Sequence, residues 1–164
     1  MFKKIASVAT IFAIILAIVA CIVWLRLNPP LEHSSIARSA NSTSIVISLD
    51  NKGFGDVKIT EVFINNGDIP TEVNMQFNHA NTGFIITDDF SSQDAQNYNF
   101  VELEDISIKK GTISKDIYAR QDKNQVRDDD MIYGLTILNE QPIQNVIIHY
   151  QYLSMLYQTE ISIK

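Results

Sequence analysis

Val146-Ile147-Ile148-His149-Tyr150-Gln151-Tyr152-Leu153-Ser154-Met155-Leu156-Tyr157-Gln158-Thr159-Glu160-Ile161-Ser162-Ile163 is the stretch that decides the fold class. Successive side chains of a strand point to opposite faces, so every second residue shares a face. Val146, Ile148, Tyr150 and Tyr152 fall together, opposed by Ile147, His149 and Gln151. Beyond the Leu153-Ser154 break, Tyr157, Thr159, Ile161 and Ile163 oppose Gln158, Glu160 and Ser162. The alternation predicts strands over 144–152 and 156–163, each with one buried face.

Working back toward the N-terminus, similar runs rich in Ile, Val, Phe and Tyr predict strands near 45–50, 57–65, 71–78, 83–87, 101–109, 112–119 and 131–138. Asn66-Gly67 and Lys110-Gly111 supply residues that tolerate positive φ, as turns require. Asp89 to Tyr98, with Ser91 or Ser92 as a cap, suits a short helix, and Arg120 to Asp130 reads as a long charged loop. Without crossover helices the strands must pair antiparallel. At this length the expected solution is an all-β, immunoglobulin-like antiparallel β-sandwich over residues 44–164, although the cysteine pair and core tryptophan of true immunoglobulin domains are missing.

The N-terminus follows another rule. Ile5 to Leu25 is apolar for 21 residues without a charge, between Lys3-Lys4 and Arg26. As a helix it would reach roughly 31 Å, the thickness of a bilayer's hydrocarbon core. The expected layout is a tail over 1–4, one transmembrane helix over 5–26 and a stalk over 27–43, where Asn28-Pro29-Pro30 stops the helix and a polar stretch follows. Asn41-Ser42-Thr43 matches a glycosylation acceptor, a pattern common by chance, and is read as part of the stalk. A cleaved signal peptide fits less well, because the apolar run continues past the small residues where cleavage would fall. A competing anchor is a lipidated Cys21, since Ile18-Val19-Ala20-Cys21 resembles a bacterial lipoprotein box. The bulky residues after Cys21 speak against it. The basic tail and large C-terminal region place the N-terminus in the cytoplasm and the domain outside. The lone cysteine, lying in the apolar run, excludes a disulfide framework.

Removing Lys3, Lys4 and Arg26 from the 13 basic residues leaves 10 against 19 acidic ones, a formal charge of −9. An acidic domain repels phosphate backbones, so nucleic acid is not an expected partner. The expected partners are the lipid bilayer, through the N-terminal helix, and an envelope or membrane protein.

Ser48-Leu49-Asp50-Asn51-Lys52-Gly53-Phe54-Gly55-Asp56-Val57-Lys58-Ile59 and Tyr133-Gly134-Leu135, with the Lys-Lys tail, spanning helix and Pro-Pro break before them, give the chain its likeness to known proteins. In this layout it resembles small single-pass membrane-anchored β-domain proteins of low-GC Gram-positive bacteria. The resemblance implies no activity.

Catalytic signals are weak. His33, His79 and His149 read as surface residues from which no Ser/His/Asp set can be assembled. Asp88-Asp89 with Asp94, and Asp128-Asp129-Asp130, lack the alternating spacing and central glycine of a calcium loop, and no helix follows the Asp50–Asp56 loop to receive a phosphate. No catalytic residue, cofactor or metal site is expected. The odd feature is the hairpin tip, where Leu153, Met155 and Leu156 stand in place of Asn, Asp or Gly. They either plug the end of the sandwich or form a contact patch for a partner or a membrane. The expected role is an extracytoplasmic binding or structural module of the cell envelope; the alternatives are an envelope enzyme with an acidic, metal-assisted site and a regulatory subunit of a membrane complex.

Overall fold

The computed structural model describes residues 2–163, with side chains from Thr10 onward. Helix α1 (Phe2–Leu27) carries the apolar run, and its Thr10–Leu27 segment, with a mean hydropathy of 2.6, is long and apolar enough to cross a membrane. After it the chain folds into two antiparallel sheets. In chain order the elements are β1 (Leu31–Arg38), β2 (Ser44–Asn51), β3 (Val57–Ile64), β4 (Glu72–His79), β5 (Phe100–Val101), α2 (Ser114–Gln121), β6 (Met131–Leu138), β7 (Asn145–Tyr152) and β8 (Met155–Ser162). The larger sheet runs β1-β2-β6-β4-β5 and the smaller β3-β7-β8.

The alternation seen in the sequence is the burial pattern of the sandwich. Ile45, Ile47 and Leu49 of β2, Leu135 and Ile137 of β6, and Met75 of β4 meet Ile59, Val62, Val146, Ile148, Tyr150 and Ile161 of the smaller sheet in one apolar cluster. The β7–β8 pairing from Asn145↔Ser162 to Tyr152↔Met155 keeps Tyr150 opposite Tyr157, so both rings enter the core and stack 5.3 Å apart. Such a pair adds to the stabilisation its buried area already supplies.

The expected stalk over 27–43 is in large part a strand. Residues 31–38 form β1, paired antiparallel with β2 from Leu31↔Asn51 to Arg38↔Ile45. A polar edge strand needs little apolar content, because its free side faces water, and that is why its composition resembles a linker. Only three residues therefore separate α1 from the sandwich, which begins at Leu31.

The outer face of the larger sheet is also covered differently from expectation. Strand β2 is buried on both faces, so something must cover Ser44, Val46, Ser48 and Asp50. The expected strand over 112–119 is instead helix α2. Its N-terminus is held by Asp50, whose Oδ1 accepts from the Ser114 amide at 3.0 Å and the Ser114 hydroxyl at 2.5 Å. A carboxylate satisfies an otherwise orphaned helix amide and sits well in the dipole's positive end. Ile117 packs with Ala80, Ile132 and Phe84 in a second apolar cluster.

The expected strand over 83–87 joins no ladder. The buried Gln76 side chain takes the place of a neighbouring strand, donating to Ile85 O at 2.7 Å and accepting from Ile85 N at 3.0 Å. Phe84 lies across Gly134, where a Cβ would come within 2.8 Å of the ring. Of the expected strand over 101–109 only Phe100–Val101 pairs; Leu103 and Ile106 pack against the core and Ile108 bridges Val57. The expected helix over 89–98 contracts to a 3₁₀ turn at Ala95–Asn97. The loop expected at 120–130 starts after Gln121, where α2 ends.

Candidate functional site

The end of the sandwich where α1 enters gathers the most unusual chemistry. Leu25, in the last turn of α1, is only 8% exposed and belongs to the main core. Tyr157 donates its hydroxyl to Leu25 O at 3.3 Å, and burial raises that phenol's pKa. Burial also pushes the neighbouring Tyr150 phenol up to about 12. Arg26 lies with its guanidinium 5.1 Å from the centre of the Tyr157 ring and donates to Leu156 O at 2.5 Å, on the unpaired side of edge strand β8. As the basic residue of the last turn, it also complements the helix dipole. Asn28 ends the helix by donating its amide N–H and its side-chain Nδ2 to Trp24 O at 3.0 and 2.8 Å.

The connection from α1 to β1 is equally tight. Lys52 N donates to Pro30 O at 3.0 Å. A Cβ on Gly53 would lie 2.8 Å from Pro30 Cβ and 2.8 Å from the Tyr152 hydroxyl oxygen, so this close crossing requires glycine. Tyr152 then accepts from Phe54 N at 3.1 Å, and Phe54 packs edge-on to its ring. Asn51, fully buried, holds the loop from below: its Oδ1 accepts from Gly53 N, and its Nδ2 donates to Gly55 O and Ile108 O.

Around this joint stand exposed apolar side chains: Trp24 at 56%, Phe54 at 63%, Leu153 at 43% and Leu156 at 66%. An apolar crevice of about 220 Å³ separates Trp24 from Phe54, and a wider, open depression of about 530 Å³ lies beside Arg26 and Leu156. The sequence grouped Leu153, Met155 and Leu156 as one tip, and the turn divides them. Leu153 (φ 49°) and Ser154 (φ 64°) make the two-residue turn in left-handed backbone, while Met155 and Leu156 begin β8. Met155 packs against the core and the two leucines face outward. Sequence reasoning overlooked Trp24, Arg26 and Phe54 as parts of this end. The available signal was an aromatic residue flanked by glycines in Gly53-Phe54-Gly55, a sequence unsuited to a plain turn.

The candidate catalytic residues are scattered. His149 pairs with Glu61 at 3.0 Å on the outer face of the smaller sheet. His79 contacts Arg127 O at 3.0 Å, and His33 is exposed on β1. Asp89 accepts from the hydroxyl and amide of Ser91, which hold its pKa down. Asp130 is bound by Arg120 and by Arg127 N, and the Arg120 guanidinium keeps its carboxyl below the usual range. Among the described residues no group of three or more His, Cys, Asp or Glu side chains comes together to hold a metal. Cys21 lies within α1 with its side chain exposed. Comparison with protein-family models, with curated proteins and with solved structures returned no match.

Proposed function

We propose that the chain is a single-pass membrane protein whose α1 crosses the bilayer with its N-terminus in the cytoplasm, and whose C-terminal domain is an extracytoplasmic immunoglobulin-like module with a binding or structural role in the cell envelope. The observation that carries this reading is the joint. The residues that end the apolar helix are the same residues that complete the sandwich, through Leu25 in the core and Arg26 on β8. Cleavage beyond Leu25 would remove a core residue, so the last turn of α1 belongs to the domain as much as to the helix. Arg26 is engaged by Leu156 O and the Tyr157 ring, so its charge serves the fold, and Lys3-Lys4 remain as the topogenic charges of a cytoplasmic tail.

The strand orders support the immunoglobulin-like reading. β1-β2-β6-β4 beside β3-β7-β8 corresponds to the ABED and CFG sheets of a constant-type domain, with β5 added at the edge. In that family of architectures, function sits in end loops and open sheet faces, not in a buried pocket, and activity cannot be argued from the architecture itself. The test of topology is labelling of intact cells with a membrane-impermeant maleimide, in a Cys21→Ser background carrying Ile69→Cys, since Ile69 is 79% exposed. Labelling before lysis is expected; labelling only after lysis refutes the orientation.

A further inference from the structure

From the end of the sandwich that receives α1, we infer that the exposed side chains Trp24, Phe54, Leu153 and Leu156 form a docking platform that dips into the interface of the same bilayer α1 crosses, fixing the domain's attitude on the membrane. This rests on the membrane reading of α1 above. Three observations converge on it.

The first is placement. Trp24 and Phe54 line one crevice, Leu153 reaches to within 3.0 Å of where a Cβ on Gly55 would sit, and Leu156 lines the depression beside Arg26. All of them thus surround the point where a bilayer-spanning helix meets the domain. The register of β3 and β7, from Val57↔Tyr152 to Ile64↔Val146, puts the other loop bearing a highly exposed isoleucine, Ile69, at the far end.

The second is the turn. A two-residue hairpin with both φ values positive favours Asn-Gly, and a leucine in left-handed backbone carries a steric cost. Here Leu153 at φ 49° leaves its side chain 43% exposed, so burial within the domain does not fully offset that cost. An environment outside the folded domain would. Strain of this kind points from geometry to function.

The third is charge. The domain is acidic, so it gains no attraction from anionic headgroups, and contact with the bilayer must come from apolar insertion. Trp24 is also the residue type that concentrates at membrane interfaces. The apolar crevice between Trp24 and Phe54 is filled in this arrangement by lipid at the level where α1 leaves the hydrocarbon.

The test uses the full chain with Cys21→Ser in phosphatidylcholine vesicles. Single cysteines at Ile15→Cys, Ser154→Cys and Ile69→Cys carry an environment-sensitive fluorophore, and nitroxide lipids labelled near the headgroup or along the acyl chain act as quenchers. Expected are acyl-chain quenching at 15, headgroup-level quenching at 154 and none at 69. Adding Phe54→Ser with Leu153→Asn to the Ser154→Cys protein should drop its quenching to the level of position 69, with the urea midpoint unchanged or raised. Quenching at 15 without quenching at 154 overturns the platform, leaves the spanning helix standing and leaves the face to a protein partner. Absence of quenching at 15 refutes the membrane reading itself. Quenching at 154 that survives the double substitution, or a lowered midpoint, overturns the role given to these side chains.

Discussion

Removing the Asn51 amide should destabilise the domain by about 2–4 kcal/mol, a large part of a typical stability of about 5–15 kcal/mol. The side chain is fully buried at the end of β2 and makes three bonds to main chain: 2.9 Å to Gly55 O, 3.0 Å to Ile108 O and 2.9 Å from Gly53 N. At a net contribution near 1 kcal/mol each, the three give about 3 kcal/mol. Two effects then adjust the figure. Gly53 and Gly55 are half-exposed and Ile108 O keeps its bond from Val57 N, so water and main chain recover part of the loss. The void left by the amide adds some back. Asn51→Ala is the first variant, read by urea unfolding of the full chain in detergent micelles and followed by near-UV circular dichroism of the stacked core tyrosines. Asn51→Asp is the sharper one. It keeps the acceptor for Gly53 N but turns a donor toward two carbonyl oxygens into a buried charge, which raises the folded carboxyl pKa above its unfolded value of about 3.9. A raised carboxyl pKa means that the native state holds the proton more tightly, so stability falls as pH rises. Asn51→Asp should be less stable than Asn51→Ala at neutral pH and recover as pH drops. An Asn51→Ala midpoint within about 0.5 kcal/mol of the parent, the range of ordinary surface changes, would refute the reasoning.

Leu25→Ala should cost about 2–4 kcal/mol of domain stability in the same micellar assay, because Leu25 is a core residue despite lying in α1; a helix that merely tethers the domain would show no change. Asp130→Asn should lower stability at neutral pH and have no effect well below pH ~3.9, since a depressed carboxyl pKa stabilises above the unfolded value and is lost as pH falls through the folded one. Equal losses for Asp130→Asn across the pH range would show that charge is not the cause. Met155→Ser should lower the urea midpoint while Leu156→Ser leaves it within about 0.5 kcal/mol, the opposite exposure of adjacent residues being the reason. Intact mass of the membrane-extracted protein should retain residues 1–20; a mass beginning at a lipid-modified Cys21 would replace the spanning helix with a lipid anchor.

Period-two burial made the half-exposed strands legible. β3, β7 and β8 present one face to the core and the other outward, so their apolar residues had to alternate, whereas β2 and β6, covered on both faces, were legible as short apolar runs. The apolar run of α1 was legible for the same kind of reason, since length and absence of charge are properties of composition alone. What the sequence by itself left open was every contact made by side chains acting in place of main chain. Ile85 takes its main-chain bonds from the side chain of Gln76, nine residues back, and the first amide of α2 is bound by Asp50, 64 residues back; neither pairing follows from local pattern. Ile113 and Ile117, four residues apart, carried the one local hint of α2, and it was outweighed by the alternation around it. β1 hid for the opposite reason: an edge strand is stabilised by hydrogen bonds to β2, which leave no mark on side-chain polarity. The exposed apolar end at the joint was half visible, in Leu153 and Leu156. Its other half, Trp24 and Phe54, comes from segments about 30 residues apart in the chain, and only the crossing of Pro30 over Gly53 brings them to one end of the molecule.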